Sequence, residues 1–269
     1  MRLRTSLVTA AAIGTGLVAA HMVANTYRFT IERIRCRLPG LDTTVRIVLL
    51  CDLHYGPFIR RGSIAAWVDA TLAERPDLVI VAGDLVDGWA GDDVEPLLSE
   101  LARFRAPLGA FATWGNHDYI RFGDPSGFGQ RLEQIGITVL ENRGMLVRDD
   151  LFLAGLDDVG EGEPDLAAAL AGRPPDAACL LVSHNPEALS SVPPDVELTL
   201  SGHTHGGQIN VPGIGPLVKA SDYTQRLLRG WSRQPALGYV SRGLGVSLAP
   251  LRLNCPAELT VLELTPARG

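Results

Sequence analysis

Five times along this chain a short apolar run stops, and the next few residues are Asp, His or Asn with Gly beside or among them. Residues 45–50 run into Cys51-Asp52-Leu53-His54, and residues 78–81 into Gly83-Asp84-Leu85-Val86-Asp87. Residues 108–113 end at Gly115-Asn116-His117-Asp118, and residues 179–182 at Ser183-His184-Asn185-Pro186. Residues 198–200 end at Ser201-Gly202-His203-Thr204-His205-Gly206-Gly207. Five of the six histidines (His54, His117, His184, His203, His205) sit at such ends. Short apolar runs bounded by turn residues read as buried strands. In open α/β sheets, ligands bind in the crevice beyond the carboxyl ends of the strands. The pattern requires an α/β chain that delivers several strand ends to one place.

Between the first strands the period changes to that of a helix. Ile64, Trp67, Val68, Thr71 and Leu72 follow Ser63, which reads as a helix cap, and Val94, Leu97, Leu98, Leu101 and Phe104 mark a second amphipathic helix. The second half is less helical: residues 137–140, 145–147 and 151–154 read as consecutive strands, and 238–240 and 258–264 as closing ones. No repeat or linker divides residues 41–264. A chain of 269 residues, 46% apolar, suits a large globular domain and excludes a disordered or collagenous one. With only 6% aromatic residues, its core must come from Leu, Val, Ile and Ala.

Charge is unevenly placed. The first 40 residues carry six Arg and one Glu, whereas residues 41–269 carry 18 basic and 29 acidic side chains. So acidic a body lacks the footprint of a general nucleic-acid binder and leaves room for divalent cations. From Leu7 to Ala24 the chain has 18 residues without a formal charge. That is at the lower edge of the roughly 17–25 residues of a spanning helix, and longer than the roughly 7–15-residue core of a cleavable signal. Residues 1–27 are expected to be an N-terminal membrane anchor, with a cleaved export signal as the alternative, ahead of a domain over 28–269. Arg2 and Arg4 before the segment, and Arg28, Arg33, Arg35 and Arg37 after it, leave the membrane face open. Residues 28–38 partly alternate polar and apolar, like an edge strand with a solvated arginine face. Cys36, Cys51, Cys179 and Cys255 match no zinc-ribbon spacing and read as small buried apolar residues.

Imidazole and carboxylate suit Mn, Fe or Zn, and no cysteine pair points to a thiolate site. Asp52-x-His54 alone is commonly an ordinary turn. His203-x-His205 is stronger, because residues two apart on an extended segment project the same way. Asn116-His117-Asp118 offers an amide oxygen, an imidazole and a carboxylate in succession.

The ordered set Asp52-x-His54, Gly83-Asp84-x-x-Asp87, Gly115-Asn116-His117-Asp118, His184 and Gly202-His203-x-His205 resembles the calcineurin-like metallophosphoesterases over about residues 44–210. Pro107-Leu108-Gly109, Gly206-Gly207-Gln208, Gly243-Leu244-Gly245 and Arg252-x-Asn254-Cys255-Pro256-x-Glu258 are similar to its bacterial membrane-associated branch. That branch includes UDP-2,3-diacylglucosamine hydrolases and related phosphodiesterases. The resemblance implies a four-layer α-β-β-α sandwich of two mixed β-sheets flanked by helices, with a two-metal site at one edge.

Carried over by position, Asp52, His54 and His205 hold one divalent ion, and Asn116, His184 and His203 the other. Asp84 bridges both, and Asp87 is a supporting partner. His117 faces the scissile phosphate and is oriented by Asp118. Two such ions about 3.5–4 Å apart clamp the attacking and leaving oxygens, and a bridging water loses its proton near neutral pH to act as the hydroxide nucleophile. The implied function is metal-dependent hydrolysis of phosphodiesters or phosphomonoesters on a small-molecule, lipid-linked or cell-envelope substrate, with no obligate protein partner. A non-catalytic metal-binding scaffold of the same fold is the alternative, but such a scaffold is expected to have lost ligands that this chain keeps. Cys51 stands where the family commonly has Ser or Thr. An apolar trough for a lipid-linked substrate is expected from Tyr55, Pro57, Phe58, Tyr119 and Phe122.

Overall fold

Val45, Ile47, Leu49 and Cys51 point to one side of their strand and Val48 and Leu50 to the other, and all six are buried. This alternation lets one strand serve two cores, the arrangement that a layered fold requires. The computed structural model describes residues 2–217, 227–233 and 236–267, with side chains from Gly14 onward. It begins with helix α1 (Arg2–Thr26) and strand β1 (Phe29–Leu38). The first half continues as β2 (Val45–Leu50), α2 (Arg61–Ala73), β3 (Leu78–Ala82), α3 (Glu95–Leu101), β4 (Ala110–Thr113), α4 (Asn116–Phe122), α5 (Ser126–Gln134) and β5 (Ile137–Val139). The second half holds β6 (Arg143–Arg148), β7 (Leu151–Gly155), α6 (Leu166–Ala169), β8 (Ala178–Val182) and β9 (Leu198–Ser201). A small hairpin, β10 (Asn210–Val211) and β11 (Gly215–Pro216), follows, then β12 (Gly230–Ser232), β13 (Gly238–Val240) and β14 (Ala257–Pro266).

Two six-stranded mixed sheets result, in the orders β1-β14-β2-β3-β4-β5 and β12-β13-β9-β8-β7-β6. Leu49, Ile80 and Leu262 from the first meet Leu153, Leu180 and Leu200 from the second in a core between the sheets. The opposite face of the first sheet buries Val48, Val79 and Val81 against Trp67, Leu97 and Leu132 of α2, α3 and α5. The outer layer on the second sheet is thinner, built on α6 and a 3-10 turn at Pro186–Ser190. The four expected layers are present.

Local departures have local causes. Helix α2 starts at Arg61, so Ser63 lies inside it and caps nothing; Arg60 takes the cap position without a side-chain bond. Phe104 falls beyond the end of α3 yet still packs into the core. The sequence pattern marks neither α4, whose seven residues are mostly polar, nor α5, where Gly127 and Gly129 interrupt the apolar period. Strand β1 is an edge strand, parallel to β14, with Arg33 and Arg35 in solvent beside Glu74 and Glu263. The expected anchor begins at residues whose side chains lie outside those described, and among the described residues no helix is long and apolar enough to cross a membrane. All four cysteines are free; Cys51, Cys179 and Cys255 are buried and Cys36 is half-buried.

Candidate metal centre

Strands β2, β3 and β4 run parallel in the first sheet, and β7, β8, β9 and β13 in the second. The residues after β2, β3, β4, β8 and β9 meet where the two sheets adjoin. Ligand atoms of Asp52, His54 and His205 lie within 4.8 Å of one another, as do those of Asp84, His184 and His203. A third set, His54, Asp87 and His117, meets the same limit. Asp84 Oδ2 links the second set to the first, 3.2 Å from His184 Nε2 and 3.3 Å from His54 Nε2. Its Oδ1 accepts the His117 backbone N–H at 2.8 Å. His54 Nε2 and His205 Nε2 face each other at 3.0 Å, and Asn116 Oδ1 lies 3.0 Å from His203 Nδ1.

The backbone is bent to make this possible. Asp52, His54, Asp84, His203 and His205 all have φ between 46° and 69°, a region that side-chain-bearing residues seldom enter. The expected projection of His203 and His205 from one extended segment therefore does not occur. The left-handed turns send His203 toward Asn116 and His184, and His205 toward His54 and Asp52. Glycines make room for the ligand side chains. A Cβ on Gly83, itself at φ +75°, would lie 2.5 Å from His184 Nδ1, and one on Gly243 would lie 2.7 Å from Asp52 Cβ.

Asp118 differs from the role implied by resemblance. As the third residue of α4, it turns its carboxylate to the backbone, accepting the N–H of Gly115 at 3.0 Å and of Val86 at 3.1 Å. The groups that meet the His117 ring are the Gly88 N–H, donating to Nδ1 at 3.1 Å, and Asp87 Oδ2, 3.8 Å from the same nitrogen. A neutral His117 with Nδ1 accepting keeps its proton on Nε2. Asp87 Oδ2 also lies 3.3 Å from His54 Nδ1, so this carboxylate is the partner of the His54 ring and a neighbour of His117.

Protons alone satisfy this cluster unevenly. Burial raises Asp52 to about 6, with His184 pulling against it. Burial also raises Asp84, but His184 and His54 outweigh it and hold Asp84 well below the usual carboxylate range. Burial opposes a proton on His54, yet Asp84 and Asp87 lift it to about 9, and His184 is raised in the same way beside Asp84 and Asp52. Burial, followed by the neighbouring imidazoles, pushes His203 down to about 4 and holds His205 low. Burial and then the Asp84 charge lift Asp118 to about 7. His203 and His205, held neutral, are in the protonation state that binds metal, whereas His54 and His184 would give up a proton to an incoming cation. Asp52 Oδ2 and His205 Nδ1 are buried without a hydrogen-bond partner, and His54 Nδ1 and His184 Nε2 meet only a carboxylate oxygen at 3.3 and 3.2 Å. A set of nitrogen and oxygen donors with unmet bonding capacity fits divalent cations.

Two features of the site carried no assigned role in the sequence. The Arg252 guanidinium is fully buried and donates to the carbonyls of Arg242, Gly243, Gly245 and Cys255. It thereby fixes residues 243–245, whose backbone donates to the carbonyls of Cys51 and Asp52. The Gln208 side chain, three residues after His205, holds the loop at Ser247 and Ala249. The motif around Arg252 was visible; its use was not, because its partners are carbonyls spread over 14 residues.

Residues 45–207 match the model of the calcineurin-like phosphoesterase family. The chain is 33% identical over 257 residues to Phosphodiesterase YaeI of Escherichia coli, covering 87% of this chain and 88% of that one. It is 31% identical over 231 residues to the metallophosphoesterase YkuE of Bacillus subtilis, covering 81% and 78% respectively. To the "transmembrane protein with metallophosphoesterase domain" of Bos taurus it is 32% identical over 260 residues, covering 88% of this chain. The chain spans only 57%, 55% and 50% of the length of the similar proteins from Bos taurus, Danio rerio and Caenorhabditis elegans.

Proposed function

This chain belongs to the calcineurin-like phosphoesterase family, and on that premise we propose that it hydrolyses phosphoric esters with a pair of divalent metal ions. The observation that carries the proposal is the position of Asp84 Oδ2, within 3.3 Å of a histidine in each of two three-residue sets. Asp52, His54 and His205 would hold one ion, Asn116, His184 and His203 the other, and Asp84 would be shared between them; Mn, Fe or Zn suits these donors. When bound, such a pair clamps the attacking and leaving oxygens of an in-line displacement and supplies a nucleophilic water at neutral pH.

The chain's own residues orient and protonate. His117, with Nδ1 occupied by the Gly88 N–H, presents Nε2–H to a phosphoryl oxygen or to the departing alkoxide. Asp87 steadies the His54 ring and the Gly88 N–H the His117 ring, while Asp118 holds the turn from which His117 projects. Asp52 and Asp84 supply two negative charges against four positive from two divalent ions, so the loaded site attracts an anionic phosphate.

The substrate class is a small or lipid-linked phosphate ester of the cell envelope, and residues 1–27 tie the domain over 28–269 to a membrane. The support is the uncharged run Leu7–Ala24 together with the name of the Bos taurus protein. The test is release of nitrophenolate from bis-p-nitrophenyl phosphate by the full chain supplied with Mn²⁺, with Asp84→Ala as control. Metal-dependent turnover in the parent and none in the variant is expected. Verified metal without turnover on any phosphate ester would leave the scaffold.

A further inference from the structure

Beside the metal centre lies a half-enclosed recess of about 320 Å³ lined by Pro57, Phe58, Asp87, Trp89 and Leu248. Of the trough expected from sequence, Pro57 and Phe58 are here. Tyr55, Tyr119 and Phe122 instead pack with the helical core, Tyr119 through a 2.7 Å hydrogen bond to Asp157 and Phe122 stacked on Phe128. Their places are taken by two residues that nothing in the sequence pattern marked. Trp89 is 80% exposed and Leu248 74% exposed, and with Pro57 and Phe58 they line one recess rather than lying scattered on the surface.

Their exposure is built into the backbone. The Trp89 N–H is held by Asp87 Oδ1 at 2.8 Å, while the other oxygen of that carboxylate faces His54 and His117. Gly88, immediately before it, holds the His117 ring. Leu248 has φ +66°, a strained state for a leucine, and its loop is clamped on both sides by the buried Gln208 amide. Both apolar walls are thus rigidly tied to residues of the reaction centre, and one carboxylate borders both spaces.

We propose that this recess binds the apolar part of an amphiphilic phosphate ester, an alkyl or acyl chain attached through the phosphate or its alcohol, while the phosphate lies at the metals. The occupant follows from position. Asp87 borders both His117 and the recess, and the other four lining residues, Pro57, Phe58, Trp89 and Leu248, are apolar. The Asp87 carboxylate, fixed by the Trp89 N–H and His54, keeps anionic groups of the substrate out of the recess. The proposal rests on the phosphoesterase reading and specifies which esters that reading favours.

Two measurements on the full chain test it. The first compares p-nitrophenyl phosphodiesters carrying methyl, butyl or octyl groups, with Mn²⁺ present. kcat/KM is expected to rise with chain length, by about fourfold per methylene that enters the recess. The octyl-to-methyl ratio is expected to fall at least tenfold in Trp89→Ser and in Leu248→Ser; a merely misfolded variant loses both rates and keeps the ratio. The second needs no turnover: octyl phosphate below its micelle concentration should blue-shift the tryptophan fluorescence of the parent and not of Trp89→Phe. A shift without hydrolysis of any ester would sink the phosphoesterase reading and leave the recess standing. Hydrolysis with no dependence on chain length and no shift would overturn the recess.

Discussion

Asp52, His54, Asp84, His203 and His205 are held in a backbone region that costs a non-glycine residue on the order of 1 kcal/mol each. Such strain persists where the surroundings over-determine it, and here carboxylate-to-backbone bonds do so. Asp52 Oδ1 accepts the His203 N–H at 2.9 Å, as Asp84 Oδ1 accepts that of His117. The ligand residues are thus one another's scaffold. His117 stands apart, reaching the cluster with its ring and leaving the ion-holding sets intact. His117→Ala is therefore expected to keep its metal content while kcat falls by about 10²–10⁴-fold, the usual scale of a lost acid-base group. Elemental analysis beside the rate measurement checks this, and loss of metal in the variant would make His117 a ligand. The identities of these residues were legible because few other roles gather His and Asp at strand ends. Their conformations were not legible, since left-handed φ at an aspartate or histidine is imposed by neighbours distant in sequence.

Strand periodicity carried the element scale well. Residues 45–50 and 78–82 alternate between two cores and are apolar save Arg46, which reaches Glu263 near the strand's start, as strands covered on both faces should be. Period failed where glycine and proline hid Phe128 and Leu132, whose spacing of four builds the buried side of α5. It failed again at residues 241–255, which have no period at all. That segment is organised by Arg252, a buried cation whose partners are main-chain oxygens. Arg252→Met would leave several buried carbonyls short of a donor. It is expected to lower stability by about 3 kcal/mol, read as a fall in the urea midpoint with little change in slope. It should also weaken metal binding, because Gly243–Gly245 is the wall against which Asp52 leans. Arg252→Lys keeps the charge without the planar fork and should lie between the two. An unchanged midpoint in Arg252→Met would remove the clamp from the account.

Across the whole molecule, the two sheets meet on a shared core and are pinned at the far edge by polar contacts such as Asp150. This residue, in the turn between β6 and β7, accepts the Asp42 N–H at 2.7 Å and pairs with Arg148. Burial raises its carboxyl, but Arg148 and the Asp42 N–H prevail and hold it below the ordinary value. A carboxyl depressed in the folded state contributes stability that is complete above the unfolded value, about 3.9. That contribution is lost as pH falls through the folded value, because the unfolded chain then binds more protons. Asp150→Asn should flatten the decline of the unfolding free energy below about pH 4 and leave its shape near neutrality unchanged; denaturant titrations across that range would show it. At this scale the sequence announced the layered α/β fold through its strand ends, whereas the thin outer layer and the apolar recess depend on loops with no periodic signature.

The central claim, two ions bridged by Asp84, is tested most directly by adding Mn²⁺ to the metal-stripped full chain while bound metal and bis-p-nitrophenyl phosphate hydrolysis are followed together. The account predicts that binding saturates at two ions per chain, that hydrolysis rises with the second, and that Asp84→Ala loses both. Full hydrolysis at one ion per chain, or an Asp84→Ala protein that still binds two and turns over, would contradict it.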